Sequence, residues 1–355
     1  MLKKAMIMAA GVGSRLGPLC DVVPKPLVPV ANIPVMDVLI RHISSFGIKD
    51  IIANTYYKAE DIQNHYGKGF LEDKSGSFYK DSGLLSVNIK FIKEQKLSGT
   101  AGGVKKCQFF FDGSEDFIVM SGDGLTDIDI NKAYESHKNS SSIATIVVKE
   151  VTEEEISIYG IIVPDENGYI ESFQEKPPLK EAKSNLANTG IYIFNYEIFN
   201  FIPENTFFDF AKNVFPLLMS AGIKIHTYIH KGYWSDIGSI EQYKLSSADI
   251  VNGRVSSFKP QTIKTSSGRY ICGSNFNNDA EAIIEGSCVF GNNCKLGRNC
   301  KIINSVLWDN VEVKANAVIE NSIILQDITA VDSVYSEIIS NGKIIQNQNK
   351  EEISV

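Results

Sequence analysis

Short apolar runs alternate with longer stretches of helical period over roughly the first two thirds of the chain. The apolar runs are rich in β-branched and aromatic residues and lie at Ala5–Met8, Ile51–Asn54, Val87–Ile92, Phe117–Met120 and Ile143–Val148. The helical patterns between them lie at Ile33–Phe46, Thr100–Phe110 and Ile130–His137. This alternation predicts βαβ units, and therefore an α/β domain over residues 1–251 whose mixed sheet is mostly parallel.

A different period begins after Asn252-Gly253. Small or apolar residues stand two positions before large ones, and the pairs recur every six residues with one five-residue step: Ala282/Ile284, Cys288/Phe290, Cys294/Leu296, Cys300/Ile302, Val306/Trp308, Val311/Val313, Ala317/Ile319 and Ile323/Leu325. A hexapeptide period predicts a parallel β-helix, in which each pair points inward from one flat side of a coil. We assign residues 252–345 to this β-helix and residues 346–355 to a polar tail. The short repeat leaves little margin for stability alone, so we expect a homo-oligomer.

The composition is that of a globular chain with room for two cores. The chain has 355 residues, of which 43% are hydrophobic and 22% charged. A net charge of −7 and a pI near 5.4 argue against a nucleic-acid partner, because phosphate contacts need a clustered basic surface. The sequence contains no long apolar run or leader, so we expect no membrane partner and a cytoplasmic location. Cys288, Cys294 and Cys300 stand at small inward positions of successive hexads, which favours core packing over metal binding.

The first apolar run leads directly into a glycine-rich stretch. Backbone N–H groups can approach an anion closely at Ala10, Gly11, Gly13 and Ser14. Arg15 and Lys25 add charge that suits phosphate oxygens. The dinucleotide-binding pattern fails because its sixth position is Leu16, and the Gly-Lys-Ser/Thr of a P-loop is missing. Pro18, Pro24 and Pro26 also argue against a helix directly after the glycines. A purely structural glycine turn with a solvated arginine remains the alternative.

The segment Ala-Ala-Gly-x-Gly-Ser-Arg-Leu-x-Pro, followed by Pro24-Lys25-Pro26, resembles the signature of the nucleoside-diphosphate-sugar pyrophosphorylases, which are sugar-1-phosphate nucleotidyltransferases. The resemblance implies a Rossmann-like domain whose glycine loop holds the phosphates of an NTP. Arg15 would neutralise the triphosphate, and Lys25 would contact phosphate as well. It further implies that the β-helix is the left-handed hexapeptide-repeat domain found at the C-terminus of many members. Gly17 and Cys20 depart from the usual residues, which bears on affinity more than on the type of reaction.

Two further motifs follow in the family's order. Gly99, Thr100 and Gly102 belong to a Gly-Thr-Ala-Gly turn that resembles the family's nucleobase loop, with Ser98 where leucine is common. The strand Phe117–Met120 leads to Asp123 at the same edge of the sheet as the glycine loop. In the family this aspartate binds the metal.

The second metal carboxylate comes from far along the chain. Asp236, in Gly-Tyr-Trp-Ser-Asp-Ile-Gly, matches it. The resemblance therefore implies a Mg²⁺ cofactor on Asp123 and Asp236, in keeping with the one or two carboxylates that Mg²⁺ takes in proteins. The neighbouring Asp127 and Asp129 are expected to cap or solvate the following helix.

The segment between these motifs resembles the family's sugar-phosphate site. Its candidate residues are Gly160, Glu175, Lys176 and Asn188. The resemblance implies that Lys176 pairs with the phosphate of the sugar 1-phosphate and that Glu175 contacts sugar hydroxyls. Asn188 offers both a donor and an acceptor to a hydroxyl.

The implied reaction is attack by a phosphate oxygen of a hexose 1-phosphate on the α-phosphorus of an NTP, with Arg15, Lys25 and Asp123 as the catalytic residues. The Gly-Thr-Ala-Gly, Phe208-Asp209-Phe210 and Gly-Tyr-Trp-x-Asp motifs look most like mannose-1-phosphate guanylyltransferases, so GTP and mannose 1-phosphate are the expected substrates and GDP-mannose the product. Alternatives are a glucose-1-phosphate thymidylyl- or adenylyltransferase and a heptose-1-phosphate guanylyltransferase.

Two functions other than nucleotidyl transfer are the remaining alternatives. A non-catalytic regulatory subunit that binds nucleotide sugar would be expected to have lost a charged contact, yet every charged candidate is present. Hexapeptide acyltransferases generally use a histidine on or near the coils as the general base. All the histidines here precede the repeat, which disfavours that activity.

Overall fold

The computed structural model describes residues 1–66, 70–71, 79–80, 87–111, 113, 115–278, 281–329, 331–340 and 343–345. The tail that we assign to residues 346–355 lies outside the described residues. The chain forms two compact units. The first consists of Met1–Val12, Pro24–Leu27 and Val35–Asp236, and the second of Gly13–Val23, Val28–Pro34 and the described residues from Ile237 onward.

The elements that precede the C-terminal region are as follows. The strands are β1 (Lys4–Ala9), β2 (Pro29–Val30), β3 (Ile33–Pro34), β4 (Asp50–Thr55), β5 (Phe70–Leu71), β6 (Tyr79–Lys80), β7 (Asn88–Lys93), β8 (Phe117–Ser121), β9 (Gly124–Thr126), β10 (Ala144–Glu150), β11 (Gly160–Pro164), β12 (Ile170–Glu175), β13 (Leu186–Phe194), β14 (His226–Ile229) and β15 (Trp234–Asp236). The helices are α1 (Pro18–Val22), α2 (Val35–Ser45), α3 (Ala59–Tyr66), α4 (Gly99–Lys106), α5 (Ile130–Ser140), α6 (Glu153–Ile156), α7 (Phe215–Ser220) and α8 (Ile240–Val251). Short 3₁₀ turns lie at Ser14–Leu16, Lys25–Leu27, Gln108–Phe110, Leu179–Glu181 and Tyr196–Phe201, and a π-helical turn at Phe210–Val214.

The described strands of the first unit form one large mixed sheet. Its order is β12-β11-β13-β8-β1-β4-β7-β5, with β10 and β14 joined through β13 and with β6 beside β7. Strands β8, β1, β4 and β7 are parallel neighbours, and β13 runs antiparallel to β8. Side chains alternate between the faces, so that Ala5 and Ile7 enter one core while Met6 enters the other. This confirms the predicted α/β fold, and each predicted apolar run lies at one of the observed strands.

Helix α1 corrects one expectation from the sequence. The prolines argue against a helix directly after the glycines, yet α1 begins at Pro18. Proline fits the first helical position because the N–H that it lacks would have no intrahelical partner there. The Gly17 carbonyl accepts the N–H groups of Cys20 and Asp21, at 2.9 and 3.2 Å. The helix ends at Val22, two residues before Pro24, so the prolines delimit it rather than prevent it.

Most of the C-terminal strands stack in three parallel columns, which confirms the parallel β-helix. The C-terminal strands are β16 (Ile263–Lys264), β17 (Ser267–Cys272), β18 (Asn277–Asn278), β19 (Ile283–Phe290), β20 (Lys295–Leu296), β21 (Lys301–Ile303), β22 (Val306–Leu307), β23 (Glu312–Val313), β24 (Val318–Glu320), β25 (Ile323–Ile324), β26 (Val334–Tyr335), β27 (Ile338–Ser340) and β28 (Lys343–Ile345). The first and the last of them, β16 and β28, instead pair antiparallel with β17 and β27. Lys301 pairs with Val318 and Val306 with Ile323, so that one coil is close to three hexads long. At one corner Asn293 donates to Asn310 at 2.8 Å, one step of a ladder of side-chain amides.

The inward positions on one face differ from the predicted ones. Phe290, Leu307 and Ile324 are in register and belong to the interior core. The predicted inward pairs Val306/Trp308 and Ile323/Leu325 are therefore wrong. The five-residue step in the hexapeptide period occurs one hexad earlier than predicted, and a second such step occurs later in the repeat. The inward small positions are Ser305 and Ser322, which are 0% and 1% exposed. All three cysteines predicted to pack inward are buried and free of disulfides.

Helix α8 explains why the sequence pattern predicts the wrong inward residues on this face of the β-helix. It contacts β19, and Lys244 donates to the Asn321 carbonyl at 2.7 Å. Outward-facing Val306 and Trp308 are also buried, at 6% and 4% exposure. Both faces of these strands are therefore apolar, so the alternation that distinguishes inside from outside is lost.

A hydrogen-bond relay joins the β-helix to a distant segment of the second unit. The Trp308 Nε1–H donates to Tyr243 Oη at 2.9 Å, and this hydroxyl donates to the Pro29 carbonyl at 3.0 Å. Nearby, Asn32 Nδ2 donates to the Phe290 carbonyl at 2.7 Å. The segment Val28–Pro34 is thereby tied to α8 and to the β-helix. Within the described residues, no helix combines the length and the apolar character needed to cross a membrane.

Tyr243→Phe is expected to lower the free energy of unfolding by roughly 1–3 kcal/mol, because it leaves the buried Trp308 N–H and the partly buried Pro29 carbonyl without this partner. Urea denaturation measures the change. Tyr335→Phe, the same change at a side chain that is 55% exposed, is the matched control and should have little effect. Equal stability of the two variants would contradict the importance of the relay.

Candidate active site

The carboxyl ends of β1 and β8 lie side by side at one edge of the sheet. Gly122, directly after β8, donates its N–H to the Met8 carbonyl at 2.9 Å. A Cβ at Gly122 would lie 3.0 Å from that oxygen, so the close approach favours glycine. The glycine-rich stretch that follows β1 and the aspartate that follows β8 therefore start from neighbouring points, where ligands commonly bind in α/β proteins.

Lys25 and Asp123 form a largely buried ion pair in the first unit. Their side chains are 13% and 15% exposed, and Lys25 Nζ contacts Asp123 Oδ2. The Ser121 hydroxyl donates to Asp123 Oδ1 at 2.5 Å. Burial alone would raise the pKa of Asp123, but the charge and hydrogen bond of Lys25 and the Ser121 hydroxyl together hold the pKa below its ordinary value. Asp123 is therefore an anion at neutral pH.

The second predicted carboxylate lies beside the first. Strands β9 and β15 are antiparallel, and Asp236 is in register with Gly124, the residue after Asp123. The Tyr159 hydroxyl donates to Asp236 Oδ1 at 2.9 Å. Tyr159 also packs edge-on against Trp234, with ring centroids 5.1 Å apart. Two residues that are more than a hundred positions apart in sequence are thus brought together by a two-stranded ladder.

Asp127 fixes the loop that leads into β15, a role that the sequence did not indicate. Its Oδ1 accepts the Tyr233 N–H at 2.6 Å and lies 3.3 Å from His230 Nε2. A Cβ at Gly232 would lie 2.2 Å from the same oxygen, so glycine leaves room for this arrangement of Asp127. The expectation that Asp127 caps the next helix is wrong. Asp129 does cap α5, by accepting the Lys132 N–H.

The predicted sugar-phosphate residues are distributed over β11, β12 and β13. Gly160 pairs with Glu175 across β11 and β12, and a Cβ at Gly160 would lie 2.6 Å from the Phe173 ring. Lys176, which follows Glu175, is exposed and has a φ of 46°, an uncommon conformation for a residue with a side chain. The lysine is thus held in a defined backbone geometry while its side chain remains accessible.

Asn188 belongs to a turn of β13 that faces the end of β8. Its Oδ1 accepts the Gly190 N–H at 3.0 Å, and its Nδ2 donates to the Tyr192 hydroxyl at 3.2 Å. Gly190 has a φ of 71°, and a Cβ there would lie 3.3 Å from Ser121 Cβ. The structure therefore brings the Asn188 turn to the Lys25–Asp123 pair.

The Gly-Thr-Ala-Gly turn is held by the segment that contains Phe208 and Asp209. The Phe208 N–H donates to the Ser98 carbonyl at 2.8 Å, and the Gly102 N–H donates to the Phe208 carbonyl at 2.9 Å. The Thr100 hydroxyl donates to Asp209 Oδ2 at 2.8 Å. A Cβ at Gly99 would lie 2.4 Å from the Phe208 carbonyl oxygen, so glycine is required. Phe208 and Asp209, which the sequence singles out only as part of a motif, therefore support this turn.

The glycine-rich stretch is divided between the two units. Ala10 is buried and Gly11 exposed in the first unit, whereas Gly13, Ser14 and Arg15 belong to the second. Gly13 has a φ of 74° and begins the 3₁₀ turn, in which the Arg15 side chain is exposed. An accessible guanidinium suits the predicted contact with phosphate, and this role of Arg15 stays a prediction.

The donor set at Asp123 and Asp236 fits Mg²⁺. The β9–β15 register sets Asp236 opposite Gly124, the residue after Asp123, and Mg²⁺ in phosphate-transferring sites usually takes one or two carboxylates, with water and phosphate oxygens as its other ligands. Among the described residues, no cluster of three or more histidine, cysteine or acidic side chains is suited to a metal. The site is therefore chemically suited to a cation that arrives with a phosphate ligand.

The sequence matches a family of known proteins over most of its length. Residues 4–252 match the nucleotidyl transferase family. The chain is 32% identical over 335 residues to the UTP–glucose-1-phosphate uridylyltransferase of Synechocystis sp., covering 91% of this chain and 83% of that protein. It is also 32% identical over 340 residues to the glucose-1-phosphate adenylyltransferase of Clostridium novyi, covering 90% of this chain and 85% of that protein.

Solved structures share the fold. HddC from Yersinia pseudotuberculosis, crystallised with GMP-PN, matches with a TM-score of 0.57 and 26% identity, covering 69% of this chain and 98% of that chain. A UDP-glucose pyrophosphorylase from Acinetobacter matches with a TM-score of 0.59 and 22% identity, covering 71% of this chain and 94% of that chain. The second likeness concerns the fold alone.

Lys25→Met is expected to lower the free energy of unfolding by roughly 3–5 kcal/mol near neutral pH, because Asp123 is left as a buried charge without its cation. Without Lys25, burial dominates and raises the pKa of Asp123. The variant should therefore approach the wild type as the pH falls and Asp123 takes up a proton, whereas the wild-type pair loses its contribution only as the pH drops through the lowered pKa.

Urea denaturation at several pH values measures both effects. Lys3→Met is the matched control, because the Lys3–Glu115 pair is 69% and 33% exposed and should contribute less than about 1 kcal/mol. A loss of stability in Lys25→Met that is small or independent of pH would contradict the assignment of a buried, coupled pair.

Proposed function

The chain belongs to the nucleotidyl transferase family, and on that premise we propose that it transfers a nucleotidyl group from an NTP to a hexose 1-phosphate, releasing pyrophosphate. The observation that carries the proposal is the placement of the Lys25–Asp123 pair beside Asp236 at the carboxyl edge of the sheet. The Asn188 turn and the Gly160–Glu175 pair add hydroxyl-binding groups to the same unit.

The reaction needs no nucleophile from the protein. The sugar phosphate is already an anion at neutral pH, so the protein has to hold two negative reactants in line and neutralise the charge that develops on the leaving group. An oxygen of the sugar phosphate forms a bond to the α-phosphorus as the bond to pyrophosphate breaks. Arg15 is suited to two phosphate oxygens at once because its guanidinium is planar, and Lys176 is suited to the attacking phosphate as a point charge.

The two aspartates and Lys25 are the other charged residues of the proposed site, and their roles follow from their contacts. Mg²⁺ held by Asp123 and Asp236 would neutralise charge on the α-phosphate and on the leaving pyrophosphate. Lys25 keeps Asp123 ionised and oriented in the absence of substrate. The Tyr159 hydroxyl orients Asp236, which couples the sugar-binding strands to the second carboxylate.

We propose glucose 1-phosphate as the sugar substrate and ATP or UTP as the nucleotide. The uridylyltransferase and adenylyltransferase relatives support this choice, because each aligns over about nine tenths of this chain. The motif resemblance favours GTP with mannose 1-phosphate instead, and the GMP-PN bound to HddC supports a guanine nucleotide. Direct assay distinguishes these pairs.

Pyrophosphate release in the presence of Mg²⁺, measured for ATP, UTP, GTP and dTTP against glucose 1-phosphate and mannose 1-phosphate, tests the proposal. We expect the highest kcat/KM with glucose 1-phosphate. Asp123→Asn should lower kcat by about 100-fold or more, since it removes charge at the point where the transition state develops it.

Asp129→Asn provides the matched control, because asparagine replaces aspartate at a helix cap without much cost. If the wild type releases no pyrophosphate with any pair of substrates, that result would contradict an enzymatic function and favour a nucleotide-sugar-binding subunit. Full activity of Asp123→Asn would contradict the role of that carboxylate.

Lys176→Ala should raise the KM for the sugar phosphate by roughly 10- to 100-fold, the equivalent of one charge-assisted hydrogen bond, and leave the KM for the NTP within about twofold. Alanine adds no backbone strain, because lysine already carries the Cβ at this positive φ. Lys180→Ala, at another exposed lysine four residues later, is the control. An equal rise of both KM values would contradict a role confined to the sugar phosphate.

A further inference from the structure

Glu94 is a buried carboxylate that the proposed reaction does not use. It directly follows β7 and is 3% exposed. Asn54 Nδ2 donates to its Oε1 at 2.7 Å, and Lys106 Nζ donates to its Oε2 at 2.8 Å. The Ser98 hydroxyl also donates to Oε2. Three donors, one at the end of β4 and one at each end of α4, therefore converge on one side chain.

Asn54 extends this network to the glycine-rich stretch. While its Nδ2 donates to Glu94, its Oδ1 accepts the Ala9 N–H at 3.1 Å. Ala9 is the last residue of β1, directly before Ala10 and Gly11. The orientation of the Asn54 amide is thus fixed at both ends, because reversing it would place its donor against the Ala9 N–H and its acceptor against a carboxylate.

Ser98 extends the network to the other turn. It directly precedes Gly99, and its carbonyl accepts the Phe208 N–H at 2.8 Å. The same residue therefore binds Glu94 through its side chain and the supporting 208–210 segment through its backbone. Ser98 occupies a position at which leucine is common in the family pattern, and a leucine would offer no donor to Glu94.

Helix α4 has a glycine, Gly103, at the point where it lies against Asn54 and Glu94. A Cβ at Gly103 would lie 2.5 Å from Asn54 Nδ2 and 3.3 Å from Glu94 Oε1. Glycine in a helix interior costs about 1 kcal/mol relative to alanine, so its presence has a packing reason here. Lys106, whose side chain is 29% exposed, supplies the balancing charge from the end of the same helix.

We propose that Glu94 is a positioning residue that fixes the distance between the two glycine-rich turns, and thereby sets the affinity for the NTP that both turns would hold. The identification of this ligand as an NTP rests on the proposed function. Glu94 acts through Asn54 on the Ala9 end of the first turn and through Ser98 on the second. The residues proposed for the sugar phosphate lie on or next to β11, β12 and β13, and none of them contacts Glu94 among the bonds described above.

Glu94→Gln is the direct test. Glutamine keeps the shape but offers one acceptor oxygen to three donors and adds a donor of its own, so at least one partner is left without its bond. We expect the KM for the NTP to rise by about tenfold, the equivalent of one weakened hydrogen bond at each turn, while the KM for the sugar phosphate changes by less than about twofold. Ser98→Ala, which removes one donor only, should show the same selectivity with a smaller rise.

Asp116→Asn is the matched control. Asp116 is 9% exposed, and Asn195 Nδ2 donates to it at 3.0 Å. In spite of burial, this bond together with the nearby His137 and Lys138 lowers the pKa of Asp116 to about 2. It precedes β8, at the end of the strand opposite to Asp123. The substitution should lower stability, as Glu94→Gln does, and leave both KM values unchanged.

The outcomes separate the inference from the proposed function. An unchanged KM for the NTP in both Glu94→Gln and Ser98→Ala, or an equal rise for the two substrates, would show a merely structural carboxylate and overturn the inference while the function stands. If the wild type releases no pyrophosphate with any pair, calorimetric titration of ATP, UTP and GTP measures the affinities instead. A weaker Kd in Glu94→Gln but not in Asp116→Asn would then support the inference although the proposed function had failed. If Glu94→Gln is recovered unfolded, Ser98→Ala decides by the same criterion.

Discussion

A carboxylate removed from water is tolerable only when cations or hydrogen-bond donors surround it, and the first unit is organised around this requirement. Two buried carboxylates, Asp123 and Glu94, follow directly or closely on parallel strands of one sheet. Each has a lysine for charge and a serine hydroxyl for a hydrogen bond. One partner of each carboxylate, Lys25 for Asp123 and Asn54 for Glu94, is distant in sequence, so satisfying the two charges also fixes where those segments lie. Ion pairs and hydrogen bonds are directional, so they fix the positions of these side chains more closely than hydrophobic packing alone would.

Glycines make this pairing possible by removing side chains at the points of closest approach. Gly103 leaves room for Asn54 and Glu94, and Gly232 leaves room for Asp127. In both places the crowding group is a polar atom that carries a hydrogen bond, so a larger residue would break the bond as well as cause a clash. These glycines are therefore a consequence of the buried polar groups, and neither has the positive φ that a turn would require.

The sequence was sufficient for features that depend on local pattern and insufficient for those that depend on distant partners. The strands of the sheet and the hexapeptide coils follow from periodicity, and Asp123 and Asp236 follow from motifs that the β9–β15 register then brings together. The role of Asp127 could not be predicted, because Tyr233 is its partner only in the folded chain. Likewise the inward position of Leu307 was missed, since α8 buries the outer face of the same strand and makes both faces apolar.

The same dependence on distant partners applies to the segment that follows the Lys25 turn. Pro24–Leu27, which contains Lys25, belongs to the first unit, whereas the residues on both sides of it in sequence belong to the second. The Val28–Pro34 segment is held by hydrogen bonds from Tyr243 and to the Phe290 carbonyl. A chain that ended at Val251 would keep Tyr243 but lose Phe290 and the indole of Trp308 that orients the tyrosine hydroxyl. The β-helix is therefore part of what holds Val28–Pro34, the segment that directly follows the Lys25 turn in sequence.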